Sequence, residues 1–71
     1  MSNNELDFAV FCIENTAEFF GKNGADVYKM LDKSRILDDY IIKSYDVLHT
    51  QGKEYIARDI ADFIEEKGIK L

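Results

Sequence analysis

The stretch Asn4-Glu5-Leu6-Asp7-Phe8-Ala9-Val10-Phe11-Cys12-Ile13-Glu14-Asn15-Thr16-Ala17-Glu18-Phe19-Phe20 decides the fold. Wound as a helix, it places Leu6, Ala9, Val10, Ile13, Ala17 and Phe20 on one face, with Phe8, Phe11, Cys12 and Phe19 on nearly the opposite side. Only a stripe holding Asp7, Glu14 and Glu18 is consistently charged. A helix that is apolar on two sides either runs through the middle of a bundle or gives its second face to another chain. The side carrying Phe8, Phe11 and Phe19 is therefore a candidate homodimer or partner surface, because three exposed Phe rings would form a sizeable apolar patch. The alternative is that the remaining helices wrap both sides.

Working outward, Ser2 can form a capping box with Glu5, or Asn4 can cap the helix directly, and Gly21 supplies a left-handed stop. A second helix is expected from about Gly24 to Lys33, with Val27, Met30, Leu31 and Ser34 on one side. A third is expected from about Asp38 to His49, its broad face made of Leu37, Tyr40, Ile41, Ser44, Tyr45, Val47 and Leu48. The fourth, from about Lys53 to Lys67, starts at Thr50 or Gly52. It sets Ile56, Ala57, Ile60, Phe63 and Ile64 against Arg58, Asp62, Glu65 and Glu66, and Gly68 ends it. Gly occurs only between or after these segments, and no stretch alternates apolar and polar residues as a strand would. The expected architecture is all-α: a compact bundle of about four short helices forming one domain over residues 1–71.

Composition narrows the function. The chain has 71 residues, 14 acidic against 9 basic, a formal net charge of −5, one Cys and no Pro or Trp. So small a core is marginal alone, and one Cys closes no intrachain disulfide, so self-association as a dimer is expected. The acidic balance repels phosphate backbones and argues against nucleic acid. The longest apolar run, Phe8 to Ile13, is far too short to span a bilayer. The segment Met1-Ser2-Asn3-Asn4-Glu5 has no basic or apolar leader character, and a lone thiol suits a reducing compartment, so a cytoplasmic location is expected.

Candidate chemistry is sparse. His49 is the only side chain that titrates near neutrality unaided, and Asp46 lies one helical turn before it, as an orienting acid would. No nucleophile or metal partner accompanies them. Cys12 sits in an apolar stretch, where a thiol is a small inert hydrophobe. The carboxylate pairs Asp38-Asp39 and Glu65-Glu66 diverge on a helix and read as solvated faces. No catalytic residue, metal ligand or cofactor is assigned, and no enzymatic activity is expected. Tyr28 and Tyr55 lie off the apolar stripes of their helices, where an amphipathic ring serves a binding surface or covers a bundle edge.

The stretch Tyr40-Ile41-Ile42-Lys43-Ser44-Tyr45-Asp46-Val47-Leu48-His49-Thr50-Gln51-Gly52-Lys53-Glu54-Tyr55-Ile56, followed by Asp59-Ile60, resembles the bacterial family of unknown function numbered 3791. Glu5-Leu6-Asp7-Phe8, Phe11-Cys12-Ile13-Glu14 and Gly24-Ala25-Asp26-Val27-Tyr28 share the resemblance, which covers nearly the whole chain. It implies a small protein, some of whose relatives are encoded beside a predicted ADP-ribosyltransferase-like toxin, and hence an accessory or antitoxin-like role. It carries over no catalytic residue. The leading expectation is a protein-protein interaction module that docks on another protein, such as a basic toxin. A DNA-binding regulator of helix-turn-helix type is the alternative, although Glu54, Asp59, Asp62, Glu65 and Glu66 outnumber Arg58 and Lys67 on the would-be reading helix. A small enzyme using His49 as base comes third.

Overall fold

A computed structural model describes residues 2–70. Helix α1 spans Asn3–Phe20, α2 Gly24–Lys33, α3 Tyr45–Leu48 and α4 Lys53–Glu66, with a π-helical turn over Leu37–Ile42 between α2 and α3. No strand occurs among the described residues. The all-α class and the bounds of α1, α2 and α4 are as the sequence implies.

Local chemistry explains the ends. The Ser2 N–H donates to Glu5 Oε1 at 2.8 Å, and the Glu5 N–H donates to Ser2 Oγ at 3.2 Å, so both halves of the capping box form. The bond from the Ser2 backbone holds the Glu5 carboxyl below its ordinary pKa. At the other end Gly21 adopts φ 66°, and the N–H groups of Gly21 and Lys22 return to the carbonyls of Glu18 and Ala17. Asn23 caps α2 by accepting the Asp26 N–H at 2.9 Å. Beyond α2 the left-handed position falls on Arg35, at φ 66°, and not on a glycine. Gly52 is the N-cap of α4, and the Thr50 hydroxyl instead donates back to the Val47 carbonyl at 2.8 Å.

The continuous third helix expected from Asp38 to His49 does not form. The chain winds as a π turn through Ile42, breaks at Lys43 and Ser44, and resumes for one turn of α3. Among the ten residues Asp38 to Val47 only Lys43 is a strong helix former, the rest being Asp, Tyr, Ile, Ser and Val, so little resists an irregular winding. The break also leaves Val47 in solvent, contrary to its expected place on the buried face.

Helix α1 is the hub, packing against α2, α4 and the π turn. Its buried face holds Phe8, Ala9, Cys12, Asn15, Thr16 and Ala17, meeting Val27 and Leu31 of α2, Ile36, Leu37 and Ile41 around the π turn, and Ile56, Ile60 and Ile64 of α4. This corrects part of the expected division of α1: Ala9 and Ala17 are buried and Phe11 and Phe19 exposed as expected, whereas Phe8 on one side and Leu6 and Val10 on the other exchange places. Phe8, assigned to a partner surface, is 8% exposed and sits edge-on to Tyr45 with ring centroids 5.4 Å apart. Leu6 and Val10, assigned to the core, face solvent. The side that turned inward carries Ala9, Cys12 and Thr16, whose small side chains let neighbouring helices approach α1 closely, whereas the opposite side is bulkier.

Candidate functional site

The five residues expected to form an interaction surface are not brought together. Phe8 lies in the core. Phe11, Tyr28, Phe19 and Tyr55 are exposed, but only Phe19 and Tyr55 border a common depression. That depression is a groove of about 540 Å³ between the C-terminal half of α1 and the first turns of α4. Phe19, Tyr55, Ala57, Asn15, Lys53 and Arg58 line it. Lys53 Nζ stands 3.4 Å from Glu18 Oε2, an ion pair across the two helices, and Glu54 is the remaining acid at the rim. Asn15 is only 6% exposed, and its Nδ2 has no hydrogen-bond partner.

Tyr55 also borders a second depression, on the α3 side of α4, which contains Tyr40, Ser44, Val47 and Asp59. There the Tyr40 hydroxyl donates to Asp59 Oδ2, and the Tyr40 ring stacks on Phe63 with centroids 4.3 Å apart. Burial, followed by the nearby Asp62 and Glu66 carboxylates, raises the pKa of Asp59 above its ordinary value.

A third surface is the outer face of α1. Leu6, Val10 and Phe11 are 52%, 46% and 40% exposed, and all lie within two helical turns. Asp7 and Glu14 share this face, make no ion pair among the described residues, and have no Lys or Arg anywhere on the 18 residues of α1 to balance them.

The polar candidates resolve simply. His49 Nδ1 lies 2.6 Å from the Tyr45 carbonyl oxygen, to which it donates, and the imidazole stacks on the Tyr45 ring at 4.3 Å. Its structural partner is therefore Tyr45, and no bond to Asp46 forms. Cys12 is buried, and burial pushes its thiol up to about 12, far from the range in which a thiolate reacts. Among the described residues no three His, Cys, Asp or Glu side chains converge to hold a metal ion, and no helix is long and apolar enough to cross a membrane.

Sequence reasoning singled out Phe19 and Tyr55 but missed Asn15 and Arg58. The available signal was Asn15-Thr16, a polar pair interrupting the apolar side that bears Phe8, Cys12 and Phe19. No curated protein and no solved structure matches the chain. Residues 7–67 match the family described as Protein of unknown function (DUF3791), and the chain belongs to that family.

Proposed function

We propose that the domain is a protein-binding module that offers the outer face of α1 to a basic partner, in the manner of an antitoxin or accessory protein. The observation that carries this reading is the exposure of Leu6, Val10 and Phe11 beside the unpaired Asp7 and Glu14, on a helix without a single basic residue. Apolar anchors supply affinity once water is excluded, and an uncompensated acidic rim selects a partner carrying Lys or Arg and speeds its arrival. A second copy of the chain fits this face less well. Two copies of an acidic helix that carries no Lys or Arg repel one another, and neither supplies the cation that Asp7 and Glu14 would select.

Affinity capture from the source cells, comparing wild type with Val10→Arg, tests the reading. The expected result is one stoichiometric protein with a basic surface, bound by wild type, released as salt is raised, and lost with the variant. Equal recovery by both proteins, or a captured species consisting of further copies of this chain, overturns it. Helical circular dichroism of Val10→Arg serves as the control, since Val10 is exposed and the variant is expected to fold.

A further inference from the structure

The junction of α1 and α2 carries the one Asn-Gly pair of the sequence, Asn23-Gly24. We propose that this pair is a site of spontaneous deamidation, that the first turn of α2 gates the reaction, and that the isoaspartyl product uncaps the helix.

Three observations support this. The first is Gly24 itself. Nothing in the fold asks for glycine there: Gly24 lies outside the left-handed region, and an added Cβ would meet only Ile13 Cγ2, at an ordinary contact distance of 3.9 Å. Alanine would serve the helix better. What the missing side chain does leave open is the approach of the Gly24 nitrogen to the Asn23 side chain. The second is access. Asn23 is exposed, and the Gly24 N–H, the first of α2, has no acceptor among the described residues, so the attacking nitrogen gives up no hydrogen bond. The third is the cap. Asn23 Oδ1 accepts the Asp26 N–H at 2.9 Å, which holds Asn23 at ψ 154°. At that angle the Gly24 nitrogen stands well out of line with Cβ, whereas ring closure needs the two nearly eclipsed about the Cα–C bond. The closed turn is therefore unreactive, and reaction proceeds when the turn opens, as helix ends do more readily than cores.

The chemistry needs only water. The Gly24 nitrogen, its proton taken by solvent base, bonds to Asn23 Cγ. The Cγ–Nδ2 bond then breaks, and Nδ2 leaves with a proton from solvent as ammonia. Water opens the resulting five-membered imide at either carbonyl carbon. Opening at Cγ gives an aspartyl residue, and opening at the main-chain carbonyl gives an isoaspartyl residue, whose chain runs on through Cβ and Cγ.

The two products act differently on α2. An aspartyl residue keeps an acceptor for the Asp26 N–H and adds negative charge at the positive end of the helix, so the cap survives. An isoaspartyl residue lengthens the three-residue connection Gly21 to Asn23 by one main-chain carbon and moves the carboxylate onto Cα. The turn that precedes the buried Val27 and Leu31 then loses its side-chain cap.

The test uses full-length protein held warm for days at neutral and mildly alkaline pH, with urea-unfolded protein alongside. Trypsin releases the peptide Asn23–Lys29, which is followed by mass spectrometry. The expected result is a steady gain equal to water replacing ammonia, faster at the higher pH and faster than at Asn3, Asn4 or Asn15. The gain is expected to be at least about tenfold faster in urea than in the folded protein. Gly24→Ala, for which the fold has room, is expected to slow it at least about tenfold in urea, where the helix plays no part. The separated isoaspartyl form is expected to melt several degrees below wild type, and Asn23→Asp no lower than wild type. No gain in the folded protein, a rate at Asn23 no greater than at the other asparagines, or one that Gly24→Ala leaves unchanged overturns the site. Equal rates in folded and unfolded protein overturn the gating, and an isoaspartyl form that melts with wild type overturns the uncapping. The pair is remote in chemistry from the docking face of α1, so either reading can fail while the other stands.

Discussion

Replacing Asn15 with Leu is expected to stabilise the domain. Asn15 is 6% exposed, its Nδ2 has no acceptor, and it lies in the C-terminal half of α1 on the side that meets α4 near Ala57. Removing an unmet buried donor recovers about 1–3 kcal/mol. Leu is the better helix former by a few tenths of a kcal/mol, and its branched end approximates the shape of the Asn amide. The net expectation is about 2 kcal/mol, which for a domain of this size raises Tm by roughly 10 °C. Urea denaturation followed at 222 nm measures it directly, and an unchanged m value establishes that the denatured state has not been altered. A loss of stability, or no change, refutes the reasoning, because it means the amide is already satisfied by ordered water in solution.

Four further outcomes are expected. Phe8→Asp unfolds the domain, since it buries a charge where a ring packed against Tyr45, whereas Phe11→Asp on the exposed face leaves the circular dichroism spectrum intact; a folded Phe8→Asp would place α1 the other way round. Gly21→Ala costs about 1 kcal/mol in chemical denaturation, entirely through the backbone, because φ is 66° and no atom lies within 4 Å of the added methyl. Cys12 reacts with a disulfide reagent only as fast as the fold opens, so its labelling rate should climb steeply with urea; rapid labelling in buffer contradicts its burial. For Asp59 the folded pKa is raised, so the native state binds more protons than the unfolded state between the two pKa values. Stability from this group therefore falls as pH rises through that window, and Asp59→Asn, which keeps an acceptor for Tyr40, should remove that decline in a series of melts from pH 3 upward.

Helix ends were the most legible part of the fold because each is written in a few adjacent residues: Ser2 with Glu5, Gly21, Asn23 and Gly52. Periodicity was equally informative for α2 and α4, whose apolar stripes are single. For α1 it placed Ala9, Ala17, Phe11 and Phe19 but not Leu6, Phe8 and Val10, because two apolar sides compete there and the choice depends on how closely the neighbours can approach, a property of residue size and tertiary fit that a helical projection does not contain. The third segment misled for a different reason. Its apolar positions fit a helical period, but its residues are weak helix formers, so the wide turn at Leu37–Ile42 and the break at Ser44 had no punctuating Gly or Pro to announce them. Phe19 and Tyr55 stood out as aromatics without an obvious core position. Asn15 and Arg58 acquire meaning only when α1 and α4 meet, and nothing in either helix alone pairs them.

The hub position of α1 bears on how the protein is made. Its inward side, with Phe8 and Cys12, is translated before any of the elements that cover it, and the last of these, α4, ends at Glu66. The 46 residues from Gly21 to Glu66 take about 2–9 s to synthesise at ordinary elongation rates. Whatever part of α1 has left the ribosome before α4 is made lacks the isoleucines that cover it, so a pause in this last stretch exposes more apolar surface than a pause after it.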